Sequence, residues 1–407
     1  MRNFVFHNPT KILFGRGQLA ALDQEVPPEA RVLITYGAGS VVKHGILDEV
    51  KTALAGRVTF EFSGIEPNPR YETLMPAVEL VKREKIDFLL AVGGGSVIDG
   101  TKFIAAAARW VGSDPWDILL DGGVSVQAAI PLGTVLTLPA TGSEMNSGAV
   151  ITRNVTRVPL PAANGASAGV SLIIKSQDDK LVFSSPCVYP RFSILDPSKS
   201  FTLPPTQSAN GIVDAFVHVM EQYLTYPADA KVQDRFAEGL LLTLIEEGPK
   251  VLAEPDNYAA RANVMWTATM ALNGLIGAGV PQDWATHMIG HELTALHGLD
   301  HAQTLAIILP SLLVQQRDHK RDKLLQYASR VWALHDGSSE SRIDRAIVRT
   351  REFFESLGVA THLSAYGITA EALPPLLAKL EQHGRFPLGE RQSLQAEDCL
   401  AILNESL

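Results

Sequence analysis

With 407 residues the chain is long for one hydrophobic core, and two domains are the natural expectation. A 46% hydrophobic and 19% charged composition argues for a folded protein, and a formal net charge of −9 argues against a nucleic-acid partner. Residues 1–10 have no apolar run behind them, and the apolar stretch at 270–280 is too short for a bilayer, so neither signal peptide nor membrane partner is expected.

Residues 31–36 (R-V-L-I-T-Y) read as a strand that ends in Gly37-Ala38-Gly39-Ser40. A helical pattern over 41–55 leads to a strand at 58–62, the loop E-P-N-P at 66–69 and a helix over 71–85. The strand at 87–92 is almost continuously apolar, as a strand covered on both faces should be. It runs into Gly93-Gly94-Gly95-Ser96, followed by an alanine-rich helix over 101–109. Another strand at 129–138 precedes Thr141-Gly142-Ser143-Glu144. Alternating strands and helices joined by glycine turns predict a parallel, doubly wound α/β sheet. Residues 154–176, rich in Pro, Ala, Gly and Ser, look like an extended loop, or a hairpin rising at Val155, Val158 and Leu160 and returning over 170–174.

Beyond Asp196-Pro197 and Leu203-Pro204-Pro205 only helical periodicity is found: 206–224, 228–252, 258–276, 283–297, 304–316 and further segments to the end. The expected division is an α/β domain over 1–198, with the insertion at about 154–176, and an all-α domain over 199–407. Cys187 and Cys399, far apart, read as reduced thiols, and the compartment expected is the cytoplasm.

Two pairs in the helical half carry chemistry. Asp214 and His218, like His287 and His291, are four residues apart and share a helix face. Gly298 offers a helix end, and His301 follows it. One such pair alone is more often an ordinary surface or core feature. Two pairs together make an N/O site for a borderline divalent ion such as Fe²⁺ or Zn²⁺. At the glycine turn, backbone N–H groups and a helix N-terminus suit a phosphate, although many such turns are only turns. Asp99 is either near a bound ribose or nicotinamide, or a first-turn acid facing the helix dipole. Residues 37–40 carry no acid to hydrogen-bond an adenosine 2′-hydroxyl, and Lys43 is one turn on. Gly37, Ala38 and Ser40 therefore suit a 2′-phosphate, and NADP(H) is the expected cofactor. Ser40, Thr141 and Ser143 are further small polar residues at strand ends, where ligands of parallel sheets sit.

The strings G-G-G-S-V-I-D, A-T-G-S-E, D-A-F-V-H and H-M-I-G-H-E-L, with a further His at 301, resemble the iron-containing alcohol dehydrogenase family. L-I-T-Y-G, E-P-N-P, L-P-A-T-G-S-E and V-P-Q-D-W-A-T-H are similar to its NADPH-dependent butanol dehydrogenase and broad-specificity aldehyde reductase branch, up to about residue 380. The resemblance implies a Rossmann-like N-terminal domain, a helical metal-binding C-terminal domain and a cleft between them. It implies Asp214, His218, His287 and His301 as ligands of one divalent ion, with His291 beside the metal as a proton relay. Gly94, Gly95 and Ser96 would contact the pyrophosphate, Asp99 would lie on the nicotinamide side, and Asn68, Thr137, Asn146 and Lys180 would line the cofactor. Two departures stand out: Pro139-Ala140 where many members have Ala-Gly, and a longer segment between Arg153 and Asp179, ahead of Lys180. The implied activity is hydride transfer between NADP(H) and a small aldehyde or primary alcohol, mainly aldehyde reduction. The alternative is a non-redox metal- and nucleotide-dependent enzyme of the dehydroquinate synthase kind. A homodimer is expected separately, because Val170, Leu172, Ile173 and Ile174 of the insertion would be poorly stable bare in water.

Overall fold

Strand β2 (Arg31–Tyr36) has Val32, Leu33 and Ile34 fully buried, so side chains on both of its faces are covered, which places it inside a sheet flanked by helices. The structure is a computed structural model that describes residues 1–157 and 175–407. Before β2 come β1 (Lys11–Phe14) and α1 (Leu22–Glu25). After it come α2 (Ser40–Lys43), α3 (Ile46–Ala53), β3 (Val58–Phe62), α4 (Tyr71–Arg83), β4 (Phe88–Gly94), α5 (Gly95–Ala107), α6 (Asp117–Leu120) and β5 (Leu132–Leu138). An antiparallel pair, β6 (Gly148–Arg157) and β7 (Lys175–Ser184), precedes β8 (Phe192–Leu195). The main sheet has six parallel strands in the order β1-β8-β5-β4-β2-β3.

Several boundaries differ from the sequence expectation, each for a local reason. The helix expected over 41–55 is two helices, α2 and α3, parted at Gly45, whose φ of 73° is left-handed. Helix α5 starts at Gly95 rather than 101, because β4 passes into it with no intervening loop. Strand β5 starts at Leu132, after Pro131, which has no N–H for the ladder. β1 and β8 were not anticipated; each is only four residues long, too short for alternation to show.

The segment first read as a loop is a ladder at its base: β6 and β7 pair in register from Gly148↔Ser184 to Arg157↔Lys175. The supposed tip at 161–169 and return over 170–174 lie outside the described residues. Thr152 N donates to the carbonyl of Pro69 at 2.9 Å, so the ladder is stitched to the loop between β3 and α4.

From Pro205 onward the described structure is helical: α7 (Pro205–Tyr223), α8 (Lys231–Ala253), α9 (Tyr258–Ala271), α10 (Ala285–His297), α11 (His301–Gln315), α12 (Arg321–Arg330), α13 (Ser339–Ser356), α14 (Leu373–Gln382) and α15 (Ala396–Glu405). Helix α7 is the axis of this layer, with Ile212, Val213, Phe216, Val217 and Met220 at the centre of one large apolar core. Helix α9 ends at Ala271, short of the expected 276, just before Asn273 and the left-handed Gly274. Helix α11 starts at His301, three residues earlier than expected, behind a reciprocal cap between Asp300 and Gln303. No described helix is long and apolar enough to cross a membrane.

Candidate metal and cofactor site

Helix α7 is buried on nearly all sides, so its polar residues need partners inside the fold. Asp214 and His218, a turn apart, are 3% and 4% exposed, with His218 Nδ1 at 3.5 Å from Asp214 Oδ1. Helix α10 brings His287 alongside, its Nε2 at 3.1 Å from His218 Nε2. The left-handed Gly298 ends α10 and turns the chain back, so that His301 opens α11 with Nε2 at 3.7 Å from Asp214 Oδ1. Asp214, His218 and His287 offer donor atoms that all lie within 4.8 Å of one another. The ring of His291 stands beside this group, 5.3 Å from that of His301 and 6.0 Å from that of His287.

The chemistry of the donors fits a divalent cation. Asp214 Oδ1, His218 Nδ1 and His301 Nδ1 are buried with no hydrogen-bond partner, a costly state that a shared cation relieves. Burial pushes the Asp214 carboxyl up to about 8, against the nearby Lys180 charge. Burial also pushes His287 down to about 3 and His218 and His301 well below the usual imidazole range. Neutral imidazoles around a carboxylate are the form in which such residues ligate.

A residue absent from the sequence reading completes this group. Glu221, one further turn along α7, receives the Nδ1–H of His287 in a tight contact, and its other oxygen accepts the His287 backbone N–H at 3.1 Å. That contact leaves His287 Nε2 turned toward His218, the usual role of a carboxylate behind a metal-binding histidine. The spacing Asp214, His218, Glu221 on one helical face was the available signal.

On the sheet side, Gly93, Gly94 and Gly95 are demanded by packing. A Cβ would stand 2.6 Å from Val97 Cγ2, 2.9 Å from Leu138 Cβ and 2.5 Å from Thr141 Oγ1 respectively. The backbone there is drawn against the end of β5, and the N-terminus of α5 is left with the half-buried Ser96. Gly37, Ala38 and Ser40 follow β2, with Ala38 and Ser40 exposed and Gly39 at φ 119°. Thr137 is buried near the end of β5, and Thr141 Oγ1 accepts from Ser143 N at 3.2 Å.

Asp99 is engaged within the protein: Oδ1 accepts from Ser143 Oγ at 2.6 Å and Oδ2 from Val150 N at 2.9 Å. The Asn146 amide is likewise occupied, its Oδ1 accepting from Gly148 N at 2.9 Å and its Nδ2 donating to Gly142 O at 2.9 Å. Lys180 pairs with Thr152 in the ladder and donates to Asn68 Oδ1 at 2.7 Å. The described part of the ladder ends at Arg157↔Lys175, five pairs beyond Thr152↔Lys180. Burial pushes the Lys180 ammonium down to about 8, against the charges of Asp214 and Asp99. Asn68 itself has φ 55°, a conformation asparagine tolerates better than most residues.

The sequence matches the iron-containing alcohol dehydrogenase family model over residues 9–158, and the model of the C-terminal region of the Fe-containing alcohol dehydrogenase family over 208–407. The chain belongs to this family. It is 62% identical to the NADPH-dependent aldehyde reductase YqhD of Escherichia coli K12, over 97% of each chain. It is 41% identical to the probable NADH-dependent butanol dehydrogenase 1 of Bacillus subtilis 168, over 100% of each. The crystal structure of E. coli K-12 YqhD superposes with a TM-score of 0.93 at 59% identity, covering 100% of this chain and 99% of that one.

Two further networks in this iron-containing alcohol dehydrogenase escaped the sequence reading. Lys102, fully buried on α5, donates to Ser143 Oγ at 2.9 Å, Asn146 Oδ1 at 3.0 Å and Gly148 O at 2.8 Å, so it holds the loop between β5 and β6. His383, just past α14, sits between Glu292 of α10 at 2.6 Å and Asp179 of β7 at 3.0 Å. It thereby ties the neighbour of His291 to the neighbour of Lys180. Lys379 reinforces the tie by donating to the carbonyl of Asp178, and Arg70 grips the Asp178 carboxylate.

Burial lowers the His383 pKa, but the two carboxylates outweigh it and hold the imidazolium above its ordinary range. A raised histidine contributes stability that is complete below its unfolded value of about 6.5 and is lost as pH rises through the folded value. Replacing His383 by Gln is expected to lower the thermal midpoint at pH below about 6.5 and to flatten the loss of stability on the alkaline side. Parallel melting curves of variant and parent across that range would contradict this reading.

Proposed function

We propose that the protein reduces small aldehydes with NADPH at a divalent metal held by Asp214, His218, His287 and His301. The observation that carries the proposal is the convergence of one buried carboxylate and three neutral imidazoles in the helical half. The 62% identity to an NADPH-dependent aldehyde reductase supports the same activity. The matches lie with oxidoreductases, and the non-redox alternative is set aside.

When bound, the metal supplies Lewis acidity at the carbonyl oxygen and the cofactor supplies the hydride. The chain's own part is to hold and orient. Glu221 fixes the His287 ring, and the N–H groups at the start of α5 receive the pyrophosphate. Lys180 braces Asn68 of the loop between β3 and α4. His291, kept neutral by burial, would relay a proton: one ring nitrogen accepts a proton from solvent as the N–H on the other passes its proton to the product oxygen, so the ring stays neutral. The test is elemental analysis of purified protein together with NADPH oxidation over a panel of neutral aldehydes. A metal-replete protein that consumes no NADPH with any aldehyde would end the proposal.

The relatives divide on cofactor, since several are named for NADH and others for NADPH or NADP. The choice of NADPH here rests on residues 37–40, which bring no carboxylate to the end of β2, and on the exposed Lys43. A Cβ on Gly37 would stand 3.2 Å from the Ile65 carbonyl, so the cleaner probe is the exposed Ala38. Ala38→Asp is expected to shift the ratio of catalytic efficiencies toward NADH by about tenfold, or ~1.4 kcal/mol. Equal use of both cofactors by the unmodified protein would count against the argument.

The same proposal includes an α/β cofactor unit over 1–198, a helical metal unit over 199–407, a cytoplasmic location and a homodimer. The two cysteines, both free in the structure, suit a reducing compartment. The apolar sequence run with Val170, Leu172, Ile173 and Ile174 lies outside the described residues, and its composition alone motivates the dimer expectation. Joining Arg157 to Lys175 by a short turn is expected to leave NADPH binding intact and to weaken self-association. A solution mass matching the parent's at every concentration would refute the dimer contact.

A further inference from the structure

Residues Asp178, Asp179 and Lys180 of β7 lie between two supports. Successive side chains of a strand point to opposite faces. Asp178 and Lys180 both reach the loop between β3 and α4: Arg70 Nη1 donates to Asp178 Oδ1 at 3.1 Å, and Lys180 Nζ to Asn68 Oδ1 at 2.7 Å. Asp179 points the other way, to His383, whose Nε2 donates to Asp179 Oδ1 at 3.0 Å. The Nδ1 of the same ring donates to Glu292 Oε1 at 2.6 Å, and Glu292 follows His291 on α10. The strand is thus held to the Asn68 loop on one side and to the histidine-bearing helix on the other.

Helix α14 makes this link firm. Leu373, Leu376 and Leu380 bury it in the helical core, while Lys379 and His383, four residues apart, share the face it turns to β7. Lys379 donates to the Asp178 carbonyl and stands 3.8 Å from the Asp179 carboxylate. The side chains of His383, Asp179 and Glu292 are only 6%, 6% and 1% exposed, so water does not readily replace the bonds between them. A carboxylate oxygen at each ring nitrogen makes both nitrogens donors, and such charge-assisted bonds are about twice as strong as neutral ones. An imidazolium donates in two divergent directions from one flat ring, whereas an amide offers both of its N–H groups from a single nitrogen.

We propose that His383 is a positioning residue for hydride transfer: by clamping β7 to α10 it sets the spacing between the Asn68 loop, with Lys180, and the helix that carries His287 and His291. This rests on the aldehyde-reductase reading above. His383 acts through Asp179 and Glu292 and takes part in no proton or hydride step. Its bonds run to the residue before Lys180 and to the residue after His291, so its loss acts on both at once. Misplacing reacting groups by about 1 Å costs on the order of a hundredfold in rate.

The experiment measures butanal reduction by the metal-loaded parent and by His383→Gln, well below the melting transition of both, with NADPH and with NADPH deuterated at the transferred position of C4. His383→Gln is expected to hold metal like the parent, to bind NADPH about tenfold more weakly by calorimetry, and to lose about ten- to a hundredfold in kcat, with a larger deuterium effect on kcat. Glu292→Gln, which keeps an acceptor at the same place, should retain the greater part of the rate. Glu292→Ala should match His383→Gln, and the double variant Glu292→Ala/His383→Gln should be no worse than either. A parental kcat and isotope effect in His383→Gln overturns the proposal. So does a loss of rate that follows loss of metal or of folded protein, or losses that add in full across the double variant. If the parent itself oxidises no NADPH with any aldehyde, the reductase reading fails instead, while NADPH binding by parent and His383→Gln still decides whether the clamp sets the cofactor side.

Discussion

His218→Ala is expected to purify with little bound metal and to lose at least about a hundredfold in aldehyde reduction, the upper end of what loss of a supporting group alone costs a metal site. His218 lies in the middle of the donor group, within reach of both Asp214 and His287. Alanine removes one nitrogen donor and leaves a gap that the buried, apolar surroundings of α7 cannot fill with another ligand. Glu221→Gln should show a smaller version of the same defect, about ten- to a hundredfold in metal affinity, because His287 loses the carboxylate that orients it. His291→Ala, by contrast, should retain its metal and turn over more slowly. All three variants should keep the parallel sheet, whose core is built from β2, β4, β5 and the helices packed on them. Elemental analysis beside a rate measurement separates these outcomes. Stoichiometric metal and a near-parental rate in His218→Ala would remove it from the ligand set.

The second large effect is expected from Lys320→Met. The Lys320 ammonium is 1% exposed at its side chain and lies 2.8 Å from Asp283, 2.9 Å from Glu390 and 2.8 Å from the Leu224 carbonyl. Removing the cation strands two buried carboxylates, a change that costs about 3–5 kcal/mol in comparable sites. Asp283 also accepts the Ala285 N–H at 2.9 Å, and its own N–H donates to the Glu221 carbonyl at 2.8 Å. The start of α10 is therefore pinned to α7 at this point. A urea midpoint within error of the parent's would show that the cluster contributes nothing. Burial lowers the Lys320 pKa, but Asp283 and Glu390 outweigh it and raise the value above the ordinary lysine range. Its contribution is accordingly complete below about pH 10.4, and is lost only as pH rises through the still higher folded value.

Helix α10 illustrates what could be read without coordinates. The four-residue spacing of His287 and His291, the left-handed glycine after them and His301 beyond are local features, and local features carry helix geometry directly. The same holds for β2 and β4, whose apolar runs announce strands covered on both faces, and for the glycine turn between β4 and α5. These readings depend on residues a few positions apart, where backbone geometry alone decides which side chains share a face. They were sufficient for the fold class, for placing Asp214 and His218 on one helix face and for the glycine turn between β4 and α5.

What the sequence could not supply were partnerships across long separations. Glu221 meets His287 across 66 positions, Lys102 meets Gly148 across 46, and His383 meets Asp179 across 204. No periodicity links such residues, because their meeting depends on how helices and strands pack and not on any one element's repeat. Lys180 makes the point from the other side. The long segment before it left its strand partner open, and the ladder supplies that partner, since strand pairing sets Thr152 opposite Lys180. The sequence by itself determined the elements and the chemistry they carry. Tertiary packing alone decided which buried charges face one another, because in a low-dielectric interior every such group must be matched by whatever the fold brings within hydrogen-bond reach.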